Sequence, residues 1–408
     1  MGSQRIVQNL RIVMCGTGWR DLLVASSGAL VCTATNAFLT GGIGPFGRMV
    51  GLDETAAGLI LGAGSLAAVV AAPTFGYASE RWGRRKMMLL AMLPLIAGAF
   101  IMAALFAKPE MAAGPTLLVS LVLARALQTG GGTGMIPLTQ ALAADKTTQD
   151  QRARGMAIVG AALSAGTVAG SLLLWATGRL GAEIGLAALS AGGLVSLIGI
   201  ATCLSDPPRS APLQIPAPTL RCLRRTWPYL GVTFLGLTAY LTVVPVIGLR
   251  LIDALGFEPG DAASTAGIVM TLSSAAMVLS QAQVALFGAR RFGMILTLGC
   301  VAGGVALGSL ALAGSLPALV LAMGCTGVFL GQVAPVNHAA LSLAAPPDSQ
   351  GRVAGLNSFL RSLAMVIGPL LGFSLYQAGP HLPFVVAMLC LFIAALLPLA
   401  RYPLHALT

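Results

Sequence analysis

The sequence predicts an all-helical polytopic membrane protein with twelve transmembrane helices, and three observations predict it. The chain has 408 residues, of which 56% are hydrophobic and only 9% charged, with a mean hydropathy of +0.87. A soluble domain keeps about a quarter of its residues charged, so most of this surface faces lipid. Apolar windows of about 20 residues recur along the whole length, each long enough to cross a hydrocarbon core of about 30 Å. The basic residues between those windows alternate in abundance, as they do between the two sides of a membrane.

In chain order the first six spans fall at about 22–46, 55–79, 87–107, 114–143, 155–178 and 184–204. The second six fall at about 228–251, 262–288, 293–313, 316–344, 352–377 and 382–400. The first is too long for a signal-peptide core, so no cleaved targeting segment is expected. No run of alternating ten-residue strands suggests an outer-membrane barrel. With both termini cytoplasmic, 18 Lys and Arg fall inside and only Arg48, Lys108, Arg179 and Arg250 fall outside. That asymmetry accounts for the net charge of +11 as a topology signal, and nucleic acid is not expected as a partner. The expected location is the cytoplasmic (inner) membrane.

The seven cysteines are scattered with no C-x-x-C pair, so neither a disulfide framework nor a metal site is indicated. No cofactor is called for. An intramembrane enzyme is disfavoured, because no His-Glu pair at metal spacing and no Ser, His and acid at depth occur together. The nucleotide-like run Gly42-Ile-Gly44-Pro-Phe-Gly47 ends a membrane helix with no strand before it, and so carries no phosphate-binding meaning.

Between spans six and seven, Ser205 to Pro218 holds five prolines in fourteen residues, a non-helical linker. It divides the chain into a six-helix bundle at 1–204, a cytoplasmic linker at 205–227 and a second bundle at 228–408. The halves look alike. Pro137-Leu-Thr-Gln-Ala-Leu in span four matches Pro335-Val-Asn-His-Ala-Ala in span ten, and Glu80-Arg-Trp-Gly-Arg-Arg after span two has a weaker counterpart, Arg290-Arg-Phe-Gly-Met. Two parallel six-helix repeats are a transporter design, with solute held near the midplane.

The loop Gly76-Tyr-Ala-Ser-Glu80-Arg81-Trp-Gly83-Arg84-Arg85 closely resembles the signature loop of the major facilitator superfamily, G-x-x-x-D-R-x-G-R-R. Arg125-Ala-Leu-Gln128-Thr-Gly130-Gly-Gly132 resembles the R-x-x-Q-G-x-G element of its twelve-span drug:proton antiporters, and Gly368-Pro369-Leu-Leu-Gly372 resembles the G-P-x-x-G element of exporters. Span five offers only Gly166-Thr-Val-Ala-Gly170, without the proline of the antiporter version. The resemblance implies the major facilitator fold, two pseudo-symmetric six-helix bundles working by alternating access. It also implies a gate at the cytoplasmic side made by Gly76, Glu80, Arg81, Gly83, Arg84 and Asp145 with Gly368 and Pro369. Gly76 is expected to touch span eleven, Glu80 to face the N-terminus of that span, and Arg84 or Arg81 to pair with Asp145. Such bonds are expected only while the cytoplasmic side is closed.

None of the thirteen acidic residues falls in the middle of a span, whereas Arg125 and Arg361 do. A charge at that depth costs at least about 2.5–3.5 kcal/mol and faces a partner or a wet cavity. Arg125, Gln128, Gly132 and Thr139 follow one stripe of span four, and Asn357, Arg361, Ala364, Gly368 and Gly372 one stripe of span eleven. With Asn36, Gln332, Asn337 and His338, the residues Arg125, Gln128, Asn357 and Arg361 are the candidate substrate-binding set. Cations without a carboxylate suit an anionic or hydrogen-bonding solute better than a cationic drug. The expected function is a secondary active exporter of a small anionic or amphiphilic organic solute, coupled to protons and acting as a monomer in the lipid bilayer. Coupling could run through His338, through competition at Arg125, or on the substrate itself. The alternative is an importer or exchanger of an organic acid or nutrient, and the remote alternative a non-transporting receptor.

Overall fold

A computed structural model describes residues 17–111, 114–148, 151–205, 220–287, 292–346 and 349–400. The described residues of the first half form α1 (Thr17–Met49), α2 (Glu54–Trp82), α3 (Arg84–Ala107), α4 (Pro115–Lys146), α5 (Arg152–Thr177) and α6 (Ala182–Cys203). Those of the second half form α7a (Leu220–Val243), α7b (Ile247–Leu255), α8 (Pro259–Phe287), α9 (Phe292–Ser309), α10 (Leu316–Ala344), α11 (Gln350–Ala378) and α12 (Leu382–Leu396). The fold is all-helical, as the periodicity predicts.

Span seven is the one that departs from a simple helix. A 3-10 turn at Val244–Val246 separates α7a from α7b, and Pro245 in that turn has no N–H to continue the α-helical ladder. Gly256, at φ 72°, caps α7b in the left-handed region, its N–H bonded 3.1 Å from the Ile252 carbonyl. The expected linker 205–227 is corrected at its end, because α7a already begins at Leu220. Residues 206–219 lie outside the described residues, as does the start of the Arg290-Arg-Phe-Gly-Met counterpart.

Ten of the helices are long and apolar enough to cross a membrane. The two others fall short for different reasons. The α12 helix has 15 residues. The α4 helix has 32 but is rich in glycine and polar residues, and its buried face includes Arg125, Gln128, Thr129 and Thr139. Its exposed face is nonetheless apolar, with Val119, Leu123 and Leu127 outward.

Two compact units organise the packing. The first comprises the described residues of Met1–Ala37, Leu66–Gly170 and Glu183–Pro212, and the second those of Phe38–Ser65, Ser171–Ala182 and Leu213–Thr408. In the first unit α1, α3, α4 and α6 enclose a core of Ala25, Cys32, Met87, Met88, Met92, Leu95, Met135, Leu138, Leu142 and Ile200. Small residues set its helix spacing: a Cβ on Gly98 of α3 would lie 2.6 Å from the Gln128 Cβ of α4, and one on Gly131 would lie 2.6 Å from the Ala91 carbonyl. Close helix–helix approach of this kind is how membrane bundles gain packing energy without a hydrophobic drive. In the second unit α10 lies against α8 in the same way, with Ser273 Oγ donating to the Met323 carbonyl at 2.8 Å and Ser280 Oγ to the Val328 carbonyl at 2.7 Å.

Candidate functional site: two mid-span arginines and two helix-end ion-pair clusters

Arg125 and Gln128 stand three residues apart on α4, on the same helix face. Arg125 is 4% exposed and Gln128 fully buried. The guanidinium donates to Gln128 Oε1, which also accepts from the Thr129 hydroxyl at 3.0 Å. The two bonds fix the amide orientation and turn Gln128 Nε2 away, leaving it and Arg125 Nε without partners. On α1, Cys32 lies close enough to Arg125 to interact with it electrostatically. One turn on, Asn36 contacts the Cys32 sulfur through Nδ2 at 3.7 Å, and its Oδ1 is buried without a partner. The first unit thus brings together Arg125, Gln128, Asn36 and a thiol that the sequence pattern did not single out.

Arg361, on α11 of the second unit, is in a different state. Its side chain is exposed, as is that of His338 on α10, and the two interact electrostatically. Asn357, one turn before Arg361, is 3% exposed, with Oδ1 unpartnered. Gln332 is half-buried. Asn337 is committed to packing: its Nδ2 donates at 2.9 Å to the Tyr229 carbonyl and at 2.9 Å to Thr233 Oγ1, tying α10 to α7a. Among these second-unit residues, Arg361 and His338 are therefore the exposed pair.

The basic loop between α2 and α3 has a defined geometry. Gly83 adopts φ 93°, the left-handed region that lets α2 turn directly into α3. Arg84 Nε donates to Asp145 Oδ2 at 3.0 Å, and its Nη1 donates to Ser79 Oγ. Arg85 reaches the Ala201 carbonyl of α6. Arg81 is exposed and lies over the Tyr77 ring at 4.9 Å, so of the two candidates Arg84 is the partner of Asp145. Nearby, Lys146 and Ser205 both bond to the buried Asp21, at 2.7 and 2.6 Å. One expectation is corrected. The Arg84–Asp145 pair lies wholly within the first unit, so it does not require closure between the halves to form. A Cβ on Gly76 meets nothing within 4 Å, so this glycine makes no tight helix contact in this state. Glu80 forms no ion pair among the described residues.

Gly368 and Pro369 are buried. A Cβ on Gly368 would lie 2.6 Å from Leu241 Cβ of α7a, and one on Gly372 would lie 3.0 Å from the Thr242 carbonyl carbon. In the first unit, a Cβ on Gly170 of α5 would lie 2.8 Å from the carbonyl carbon of Ala34 in α1. The proline-free element of span five therefore packs on span one much as the complete element of span eleven packs on span seven.

At the helix ends opposite the basic loops, sequence reading missed a second cluster. Arg48, ending α1, donates to Glu54 Oε1 at 2.5 Å and to both carboxylate oxygens of Asp253 at 2.5 and 2.9 Å. Tyr376 donates to Asp253 Oδ2 at 2.9 Å. Arg250, expected at the outer end of span seven, is buried in α7b.

A family model described as Major Facilitator Superfamily matches residues 26–285 and 229–406. The chain belongs to the major facilitator superfamily. It is a multi-pass membrane transporter, not an enzyme. Multidrug resistance protein 2 of Bacillus subtilis (strain 168) is 27% identical over 370 residues, covering 84% of this chain and 85% of that protein. Among solved structures, a D-xylose-proton symporter superposes with TM-score 0.74 at 16% identity, over 94% of this chain and 97% of that one. The human organic anion transporter MFSD10 (TETRAN) superposes with TM-score 0.62 at 19% identity, over 93% and 99%. At these identities the structures speak for the superfamily fold alone.

Proposed function

We propose that this superfamily member is a proton-coupled exporter of a small anionic or amphiphilic organic solute, working by alternating access as a monomer in the cytoplasmic membrane with both termini inside. The observation that carries the solute class is the pair of mid-span arginines without a carboxylate beside them among the described residues. The accessible Arg361, with His338 beside it, receives the anionic end of the solute, and Asn357 and Gln332 supply hydrogen bonds around it. Arg125 and Gln128, sealed within the first unit in this state, bind solute when α4 is exposed to solution. Asn36 of the same unit contributes a further amide, and Asn337 holds α10 in place. His338, the imidazole beside Arg361, is the group through which a proton is exchanged. The two-bundle division at 1–204 and 228–408 supplies the moving parts, with Gly76, Glu80, Arg81, Gly83, Arg84, Asp145, Gly368 and Pro369 at the cytoplasmic gate. Export is favoured by the 27% identity to a multidrug resistance protein.

The test is flux in proteoliposomes of purified full-length protein, under an imposed pH gradient, with a fluorescent carboxylate and a cationic dye as separate probes. The expected result is proton-driven movement of the carboxylate, abolished by a protonophore and by Arg361→Met. Transport of the cation alone would overturn the anion assignment, and gradient-independent exchange would overturn proton coupling.

A further inference from the structure

We infer that Arg48 is the keystone of an electrostatic latch that holds shut the ends of the helices opposite the basic loops. The inference rests on the alternating-access reading and adds residues to it. All the contacts concerned lie within the second compact unit, which takes in the ends of α1, α2 and α5 together with the second sequence half.

Those ends meet through very small residues. A Cβ on Gly44 of α1 would lie 3.1 Å from Leu249, and one on Gly62 of α2 would lie 2.8 Å from Leu370. One on Gly178, just beyond α5, would lie 2.5 Å from the Ser264 backbone nitrogen, and Ser264 Oγ donates to the Trp175 carbonyl at 2.6 Å. The glycines of one side receive the Leu249 and Leu370 side chains of the other, so these ends approach closely.

Arg48 supplies the directional part. Its planar fork takes Asp253 with two parallel bonds and holds Glu54 at the same time, which fixes orientation as well as distance. Asp253 accepts a third bond from Tyr376 of α11. The end of α1, the start of α2 and α7b therefore meet at one guanidinium, and the end of α11 joins them through Asp253.

Arg250 makes the latch two-state. It lies three residues before Asp253, is 6% exposed, and donates to the Ala311 and Ala313 carbonyls at 2.8 and 3.4 Å. Its guanidinium also faces the Phe384 ring at 6.0 Å. These bonds pin α7b to the turn after α9, so Asp253 cannot follow Arg48 when α1 moves away. Opening this end must break the Arg48–Asp253 bonds rather than carry them along.

Thr55 and Gln377 give a direct reporter, because their side chains are hydrogen-bonded at 2.6 Å across α2 and α11. In the full-length protein, with its native cysteines replaced, a Thr55→Cys/Gln377→Cys pair is crosslinked by a short bifunctional thiol reagent. Asp253→Asn or Arg48→Ala is expected to raise the open-to-closed ratio at least about fivefold, seen as a matching loss of crosslinking rate. High salt is expected to have the same sign of effect on the parent, because these charges are partly exposed. Arg48→Lys, which keeps the charge facing Glu54 and Asp253, is expected to retain most of the crosslinking that Arg48→Ala loses, which separates a latch from a folding defect. Unchanged crosslinking in both single variants overturns the inference, as does a loss in Arg48→Lys equal to that in Arg48→Ala while thermal stability is normal. The crosslink reads conformation without a substrate, so its failure is distinct from failure of the flux assay.

Discussion

Spans four and ten compare two solutions to one packing problem. Aligning Pro137 with Pro335 places Thr139 opposite Asn337, and both residues bond to the first span of their own half. Thr139 Oγ1 donates to the Ala25 carbonyl of α1 at 3.4 Å, besides its own helix at Met135, and Asn337 to the Tyr229 carbonyl of α7a. The same alignment places Arg125 opposite Met323 and Gln128 opposite Thr326. Met323 is fully buried and Thr326 bonds its own helix at the Ala322 carbonyl. The packing skeleton is duplicated while the charge is not. The two halves share how their helices approach and differ in their polar residues.

The strongest way to break this comparison is to move the charge. Met323→Arg buries a guanidinium among apolar neighbours and is expected to cost about 3–5 kcal/mol, measured by thermal or denaturant unfolding in detergent. Arg125→Met is expected to cost much less in the same assay while abolishing flux, because its loss removes unpartnered buried donors along with the charge. Equal stability losses would show the halves to be chemically interchangeable.

Next in size are the glycines. Gly170→Leu and Gly372→Leu each drive a side chain into the backbone of span one or span seven, and each is expected to cost about 3 kcal/mol or more. A large loss at Gly372 with none at Gly170 would show that the missing proline in span five also removed the close contact. The smallest effect sharpens the tethers. Asn337→Leu is expected to cost about 1 kcal/mol and Thr139→Val less, since its interhelical bond is the longer of the two. The reverse order in unfolding midpoints would contradict that ranking.

Much of the fold was legible from local pattern, because a span announces itself by length and hydropathy alone. The Arg125–Gln128 bond was also legible, since residues three apart on a helix share a face. The Arg84–Asp145 pair followed from a loop whose resemblance places it at the end of span four. What escaped the sequence depends on partners far apart in the chain. Nothing local marks Arg48 for Asp253, and both look like ordinary helix-end charges. The burial of Arg250 was hidden because its partners are the carbonyls of a turn, which carry no sequence signature. The break in span seven was hidden because prolines also sit inside seven unbroken helical stretches, at Pro45, Pro73, Pro94, Pro137, Pro228, Pro335 and Pro369.

The open space around Gly76 makes that position a conformational ratchet in the hands of the experimenter. A Cβ there meets nothing within 4 Å in the state described. Any steric penalty that a methyl group imposes must therefore fall on a different state of the cycle. Gly76→Ala at this one site is a wedge that finds room in the present state and taxes its counterpart.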